Sequence, residues 1–558
     1  MQTIPSARPF LALTLIALCG AVGAQPVPDA GQIQREVQPR PASPVPTTPP
    51  IGIREPAAPA ATAGGPGFAV THVLVQGHTA FSTDELLALV ADLPGPARTL
   101  ADAQAAAQRI TAHYRANGYP VARALVPAQD VTAGELRIDV LEGRIDRVTL
   151  QNGSRVGDAA LAAALVDVQA GEVITSAPID RALMLWSDTP GVGAARATLQ
   201  PGERVGTSRL GIELDPAPLV QGSVALDNHG SAYTGRARVS GLLQFNSPLG
   251  LGDQLSLSAL TSGRGLRYGH VAYELPLGGA GTRFAVARHQ TRYRLGGDFA
   301  ALQAHGVADG ARAFVSHPLW LTPTGRLSAT LGTEHQSLHD RVDITSSVTD
   351  KSLRSVSATL DGNLRDLQGQ RLSTGNLQLV NGRLRIHSPA AAAQDAATAG
   401  TQGSFTRLEW ALSHLQRVGA GSQVFVSYRG QRTDRNLDSA EKFAIGGPRA
   451  VRAYGSGEAS GDEADLLSLE WRQPFVDAVQ GVAFYDVARA RLNHTPFDAT
   501  APRHRTLSGV GVGLNAEMSV AGTPLSLQSS LAWPLQGRPA RGAPVSSPAL
   551  WLTLAARF

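Results

Sequence analysis

"LWLTLAARF", residues 550–558, alternates without a break: Leu550, Leu552, Leu554, Ala556 and Phe558 fall on one face, Trp551, Thr553, Ala555 and Arg557 on the other. A period of two belongs to a β-strand. The pattern recurs upstream, as in "QLSLSAL" (254–260), where Leu255, Leu257 and Ala259 oppose Gln254, Ser256 and Ser258, and in "HVAYEL" (270–275). About sixteen such segments of roughly ten residues lie between Leu219 and Phe558, each close to about twenty residues with its turn.

The connections sort by parity. Those after even-numbered segments are short ("PLGGAG", "LTPTG", "RVGAGS", "SVAGT"), and several after odd-numbered ones are long, among them "HSPAAAAQDAATAGTQG"; "TSGRG" after the third is an exception. Short turns on one side of a membrane and long loops on the other produce that asymmetry. In hydrocarbon each unpaired backbone group costs about several kcal/mol, so a spanning sheet must close, and about sixteen strands leave an aqueous lumen. The expected fold is an all-β transmembrane barrel of about 16 antiparallel strands over residues 219–558. Its closing face of Leu550, Leu552, Leu554 and Phe558 resembles the terminal recognition signal of outer-membrane barrels, which implies outer-membrane lipid and, during biogenesis, the barrel-assembly machinery as partners.

The 558 residues exceed one compact core, so further domains precede the barrel. Residues 1–24 carry Arg8, an apolar run from Phe10 to Ala17 and small residues at Val22 and Ala24, the pattern of a secretory signal peptide. The one cysteine, Cys19, lies inside it; Leu18 before it argues against a lipoprotein, and the mature chain would hold no disulfide or cysteine-bound metal. No later apolar run reaches about eighteen residues, so no transmembrane helix is expected. With 49 basic against 45 acidic residues and no dense Lys/Arg block, nucleic-acid binding is disfavoured.

Residues 25–67 are rich in Pro and Ala and read as a linker, apart from "PDAGQIQREVQ" (28–38), which predicts a short helix. Two copies of a strand, helix, helix, strand, strand unit follow, at 68–143 and 144–218, with Val70, Val73 and Val75 answered by Ile145, Val148 and Leu150. The first copy shows a capping box at Ser82 and Glu85, a helix face of Leu86, Leu89, Val90 and Leu93, and a second of Leu100, Ala103, Ala107, Ile110 and Tyr114 stopped by Asn117-Gly118. Leu136, Ile138 and Val140 alternate as its last strand. In the second copy Ile179, Leu183 and Trp186 form a helix face, and Leu210, Ile212 and Leu214 a strand. Two small α/β modules are expected, each with a sheet edge able to accept an added strand.

The long connection 441–471 changes rule midway: Leu467, Leu469 and Trp471 alternate with Ser468, Glu470 and Arg472, whereas "EKFAIGGPRAVRAY" before them does not alternate. The order of signal, short helix, linker, tandem modules and barrel resembles the two-partner secretion transporters, the haemolysin and filamentous haemagglutinin secretion-activation proteins, which belong with the outer-membrane protein assembly factors in one superfamily. The resemblance spans nearly the whole chain after the signal. Its most specific part is "SAEKFAIGGPRAVRAY" (439–454), similar to the family's Phe-x-Ile/Leu-Gly-Gly followed by Val-Arg-Gly-Tyr/Phe, here Phe443, Ile445, Gly446, Gly447, Val451, Arg452 and Tyr454. "FYDVA" (484–488) is similar to its Phe-x-Asp-x-Gly, here Phe484 and Asp486.

That resemblance implies a sixth external loop folded into the lumen, with Arg452 meeting Asp486. Alternation agrees, since Phe484, Asp486 and Ala488 share a face and a carboxylate belongs on the lumen side. Ala453 and Ala488 stand where the family has glycines, and a methyl group there would disturb a positive φ or a close backbone approach. The family further implies modules of the POTRA type in the periplasm, which bind an unfolded secreted partner exoprotein of adhesin or cytolysin type, and a barrel that passes it outward. The short helix would plug the resting pore. No cofactor, metal or catalytic residue is implied. An outer-membrane insertase is the nearest alternative, although such relatives usually carry more modules; a porin has no use for modules. An outer-membrane hydrolase would need a fixed constellation that the 14 scattered histidines do not mark, and neither "GSGEASG" nor "GVGVG" joins a strand to a helix as a phosphate loop does.

Overall fold

The computed structural model describes residues 27–38, 51–53, 67–419, 421–536 and 548–558; the expected signal peptide and most of the expected linker lie outside them. Helix α1 (Ala30–Val37) is capped by Asp29, whose side chain accepts from the Gln32 N–H. Strand β1 (Ile51–Ile53) comes from the Pro/Ala-rich stretch.

The first module holds β2 (Phe68–Val70), β3 (His72–Gln76), α2 (Thr83–Ala88), β4 (Gly95–Arg98), α3 (Leu100–Ala116), β5 (Arg123–Leu125) and β6 (Glu135–Leu141). β6 runs parallel to β3 and antiparallel to β5, while β2 and β4 form a separate pair. Leu86, Ala103, Ala107, Ile110 and Tyr114 pack on Val75, Leu136, Ile138 and Val140. Three local expectations need correction. α2 ends at Ala88, so Val90 and Leu93 reach the core from the turn beyond it. Ser82 caps α2 one way only, and the reciprocal box belongs to Thr99 and Asp102 on α3. Leu100, the first residue of α3, is 43% exposed and lies outside the core.

Glu142 ties this module together. Its carboxylate accepts from the Thr79 N–H at 2.5 Å, the Ala80 N–H at 2.8 Å, the Tyr114 hydroxyl at 2.9 Å and the Thr79 hydroxyl. Burial raises its pKa, but these donors outweigh burial and hold the carboxyl below the ordinary value. A carboxyl lowered on folding contributes stability above its unfolded pKa, and the contribution is lost as pH falls through the folded value. Glu142→Gln is therefore expected to cost about 1–3 kcal/mol at neutral pH and much less in acid. Urea unfolding of residues 68–218 followed by circular dichroism at both pH values checks this; an equal loss at both would refute it.

The second module has β7 (Arg144–Asn152), α4 (Asp158–Ala162), α5 (Ser176–Ser187), β8 (Val192–Pro201) and β9 (Thr207–Pro216). Ile179, Leu183 and Trp186 of α5 are buried against Leu210, Ile212 and Leu214, and the Trp186 indole donates to the Leu161 carbonyl. The sheet order is β1-β8-β9-β7, with β1 parallel to β8, so the linker's own strand covers an edge that β8 would otherwise leave open. The module docks on the barrel's short turns: the Gly157 N–H donates to the Gly250 carbonyl, Arg181 to the Ala280 carbonyl, and Asp188 pairs with Arg326.

The barrel runs β10 (Val220–Asp227), β11 (Arg238–Asn246), β12 (Gln254–Thr261), β13 (Leu266–Leu277), β14 (Thr282–Arg294), β15 (Ala304–Thr322), β16 (Gly325–Val342), β17 (Ser347–Arg365) and β18 (Arg371–Ile386). After helix α6 (Pro389–Ala397) come β19 (Gly403–Val418) and β20 (Ser422–Thr433). Two short strands inside the next loop, β21 (Phe443–Ala444) and β22 (Ser460–Gly461), pair with each other. β23 (Glu463–Val476), β24 (Val479–Arg491), β25 (His504–Val520), β26 (Thr523–Gln536) and β27 (Ala549–Arg557) complete the ring, which closes as sixteen antiparallel strands through β10 and β27. No described helix is long and apolar enough to cross a membrane.

Period two accounts for both faces. Leu550, Leu552 and Leu554 are 44%, 41% and 41% exposed on the lipid side, and Trp551 between them is buried in the lumen. Two features were not expected. β15 and β17 are 19 residues long, beyond the roughly ten that hydrocarbon needs, so their hairpins rise above the membrane. The loop "HSPAAAAQDAATAGTQG" folds into α6, since four alanines behind Pro389 favour helix wherever no strand partner competes.

Candidate functional site in the barrel lumen

The loop 434–462 turns back into the lumen and places Arg452 against the barrel wall. Arg452 donates to Asp486 three times, from its backbone N–H at 3.1 Å, from Nε to Oδ2 at 2.8 Å and from Nη2 to Oδ1 at 2.8 Å. Nη1 reaches Glu470 Oε1 at 2.8 Å, and the guanidinium lies 3.5 Å from the Phe484 ring centroid. Glu470 in turn accepts from Arg472 at 2.7 and 2.9 Å. A planar fork on two carboxylates and an aromatic face uses every property that separates Arg from Lys. Asp486 is 1% exposed, so the pair is desolvated on the carboxylate side.

The rest of the motif builds the mount. Phe443, Ile445, Val451 and Tyr454 are buried with Leu466, Ala488 and Leu507 of the wall. The Val451 N–H donates to the Ile445 carbonyl, and the Tyr454 hydroxyl to the Gln536 carbonyl at 2.5 Å. Gly447 has φ +115°, and a Cβ on Gly446 would stand 2.9 Å from the Gly455 carbonyl oxygen, so both glycines are needed. Ala453 and Ala488 do not have the positive φ expected for the family's glycines. The Ala453 methyl is accommodated from the other side, because a Cβ on Gly509 would stand 2.5 Å from it; a Cβ on Gly511 would likewise meet the Phe484 ring at 2.2 Å. "GVGVG" is thus the recess that receives the loop and its aromatic partner.

In the structure Arg452 lies against Asp486 and over the Phe484 ring. Sequence reasoning missed Glu470, although alternation had already put it on the face opposite Leu467, Leu469 and Trp471, and it missed Gly509, Gly511 and Trp551. The terminal residues Leu550, Leu552, Leu554 and Phe558 lie apart from this site, on the outer face.

A second cluster holds α1 inside the lumen. Asp29 pairs with Lys351 at 3.2 Å and accepts from the Ser439 hydroxyl at 2.5 Å, while Lys351 also pairs with Asp438 at 2.7 Å. The Ala30 N–H donates to Asp340 at 2.8 Å. At the other end Arg35 faces Glu409 at 3.4 Å and Glu441 at 3.8 Å, both shared with Arg407. Ala30 and Ile33 pack on Tyr293 and Leu338, and a Cβ on Gly31 would stand 2.6 Å from that of Ala440. Helix and loop therefore interlock at residues 438–441. Among the described residues no group of His, Cys, Asp and Glu is arranged to hold a metal ion.

Residues 206–516 match the family described as haemolysin secretion/activation protein ShlB/FhaC/HecB, and residues 68–143 match the POTRA domain, ShlB-type. Among curated proteins, the heme/hemopexin transporter protein HuxB of Haemophilus influenzae (strain 86-028NP) is 29% identical over 461 residues, 81% of each chain. The outer membrane transporter CdiB of Escherichia coli is 26% identical over 444 residues, 76% of this chain and 72% of that one. The solved structure of CdiB from Escherichia coli superposes with a TM-score of 0.67 at 23% identity, over 90% of this chain and 93% of that one.

Proposed function

The chain belongs to the haemolysin secretion/activation protein family, outer-membrane transporters of partner proteins whose POTRA modules stand in the periplasm, and we propose that it captures one unfolded exoprotein there and passes it extended to the cell surface. The carrying observation is a sixteen-stranded lumen occupied by two parts outside the barrel ladder, a helix held by side chains and a loop whose Arg452 is fastened to Asp486 of the wall. A permanent plug would need neither a linker nor so concentrated a fastening. The edge of β8 is where an incoming strand would add, replacing the three residue pairs now made by β1. No reacting group is required of the protein, since folding of the passenger outside removes the extended form by mass action.

The test is export of the N-terminal part of a large, signal-bearing, strand-repeat protein encoded beside this one, in cells with and without this chain. Secretion that depends on the chain, with other outer-membrane proteins at normal levels, is the expected result. Loss of other barrels from the membrane on deletion, without any secretion defect, would favour the insertase reading instead.

A further inference from the structure

The barrel's closing seam is short. β10 pairs with β27 through five residues, Ser223↔Arg557 to Asp227↔Thr553, against eight with β11. At the periplasmic end Gly222 and Phe558 exchange both backbone hydrogen bonds. At the outer end the last backbone bond runs from the Asn228 N–H to the Leu552 carbonyl at 3.3 Å, and the Asn228 side chain reinforces it: its amide donates to the Leu550 carbonyl at 2.8 Å and accepts from the Leu552 N–H at 2.8 Å.

Between the two clasped residues stands Trp551, on the lumen face of β27 and without a partner residue on β10. Its indole N–H donates at 2.7 Å to the backbone carbonyl of Arg452, the loop residue that the two carboxylates hold. The other side of the seam reaches the loop too. His229 follows Asn228, packs edge-on against the Trp551 ring at 5.7 Å and lies 3.2 Å from the Thr553 hydroxyl, and its carbonyl accepts from Ser456 of the loop at 3.0 Å.

We infer that Trp551 is a positioning residue that couples the locked loop to the barrel's closing seam, so that the loop is released when the outer end of the seam parts. Splaying β27 from β10 moves Trp551 away from His229 and draws it off the Arg452 carbonyl. The charge pair with Asp486 is then left without the bond that ties the Arg452 backbone to β27. This reading goes beyond transport and needs no passenger, so its failure would leave the proposed function untouched.

The test uses the full chain in detergent, in a Cys19→Ser background, with trypsin cleavage after Arg452 as the measure of loop release. Cleavage from a rapidly reclosing state follows the open population. Loss of one hydrogen bond in Trp551→Phe, which keeps a ring, should speed cleavage about two- to tenfold. The facing pair Ala225→Cys and Ala555→Cys locks the seam when oxidised. Oxidation should slow cleavage of the native loop and have no effect once Trp551→Phe has cut the connection. The same slowing with and without the indole N–H would overturn the coupling, as would a native cleavage rate in Trp551→Phe. Should that variant fail to assemble, Asn228→Ala, which removes the two amide bonds to β27, should still speed cleavage, and an unchanged rate there would refute the inference.

Discussion

Asp486→Ala is expected to abolish export while the barrel remains in the outer membrane at about its native level. The substitution removes three hydrogen bonds at once and leaves the Arg452 guanidinium beside the Phe484 ring with Glu470 as its one remaining carboxylate. Breaking a buried ion pair from one side costs about 3–5 kcal/mol, so the locked loop should lose a few hundredfold or more of its advantage over the released one. Strand pairing around residue 486 is untouched, because its partners Ser468 and Gly509 bond through the backbone. Glu470→Gln should do less harm, since Glu470 also serves Arg472 and Arg452 keeps its three bonds to Asp486. Arg452→Lys should resemble Asp486→Ala more than its kept charge suggests, because an ammonium cannot fork onto both carboxylates. The measurement is surface export of the partner's N-terminal part alongside trypsin cleavage after Arg452. Full export with a protected loop in Asp486→Ala would show that the pair is not the fastening.

How much of this was legible beforehand follows the range of the forces involved. Alternation is a property of adjacent residues, so the two faces of β23, β24 and β27 could be read directly, whereas the meeting of Arg452 and Asp486 came from the motifs' resemblance to the family, with which alternation on β24 agreed. Loop parity is equally local and placed the sixth loop. The accommodation of Ala453 was not legible, because the glycine that receives its methyl stands at position 509, on a strand that meets the loop only in the folded barrel. The charges that hold α1 lie on β16, β17 and β19, hundreds of residues away, so the signal at residues 28–38 pointed to a helix and not to its seat. β1 carried no signal of its own, since three residues in a Pro-rich stretch become a strand only where an edge such as β8 is offered. Leu100 shows the opposite failure: a periodic pattern fitted it to a buried face, but it is the first residue of α3 and stays exposed.

Lys351→Ala should open the resting pore. α1 spans about 12 Å at about 1.5 Å per residue and with side chains is about 10 Å wide, enough to obstruct much of what the loop leaves free in the lumen. Lys351 is the cation between Asp29 and Asp438, and Asp340 meets the helix at the neighbouring Ala30 N–H. Without it, carboxylates crowd one end of the helix with no cation between them, and their repulsion acts to expel it. Arg35→Ala removes a cation too, but Arg407 still neutralises Glu409 and Glu441, so the other end tolerates the loss better. In planar bilayers Lys351→Ala is therefore expected to raise the open fraction about tenfold or more, with Arg35→Ala between it and the native protein, and deletion of residues 27–38 should give a pore that does not close. Because both clusters are largely shielded from solvent, raising the salt concentration should mimic Lys351→Ala only weakly. An open deletion variant beside a closed Lys351→Ala would mean that packing of Ala30 and Ile33, not charge, seats the helix. A deletion variant as closed as the native chain would assign the whole barrier to the loop, and Arg452 would then be the only gate the passenger has to pass.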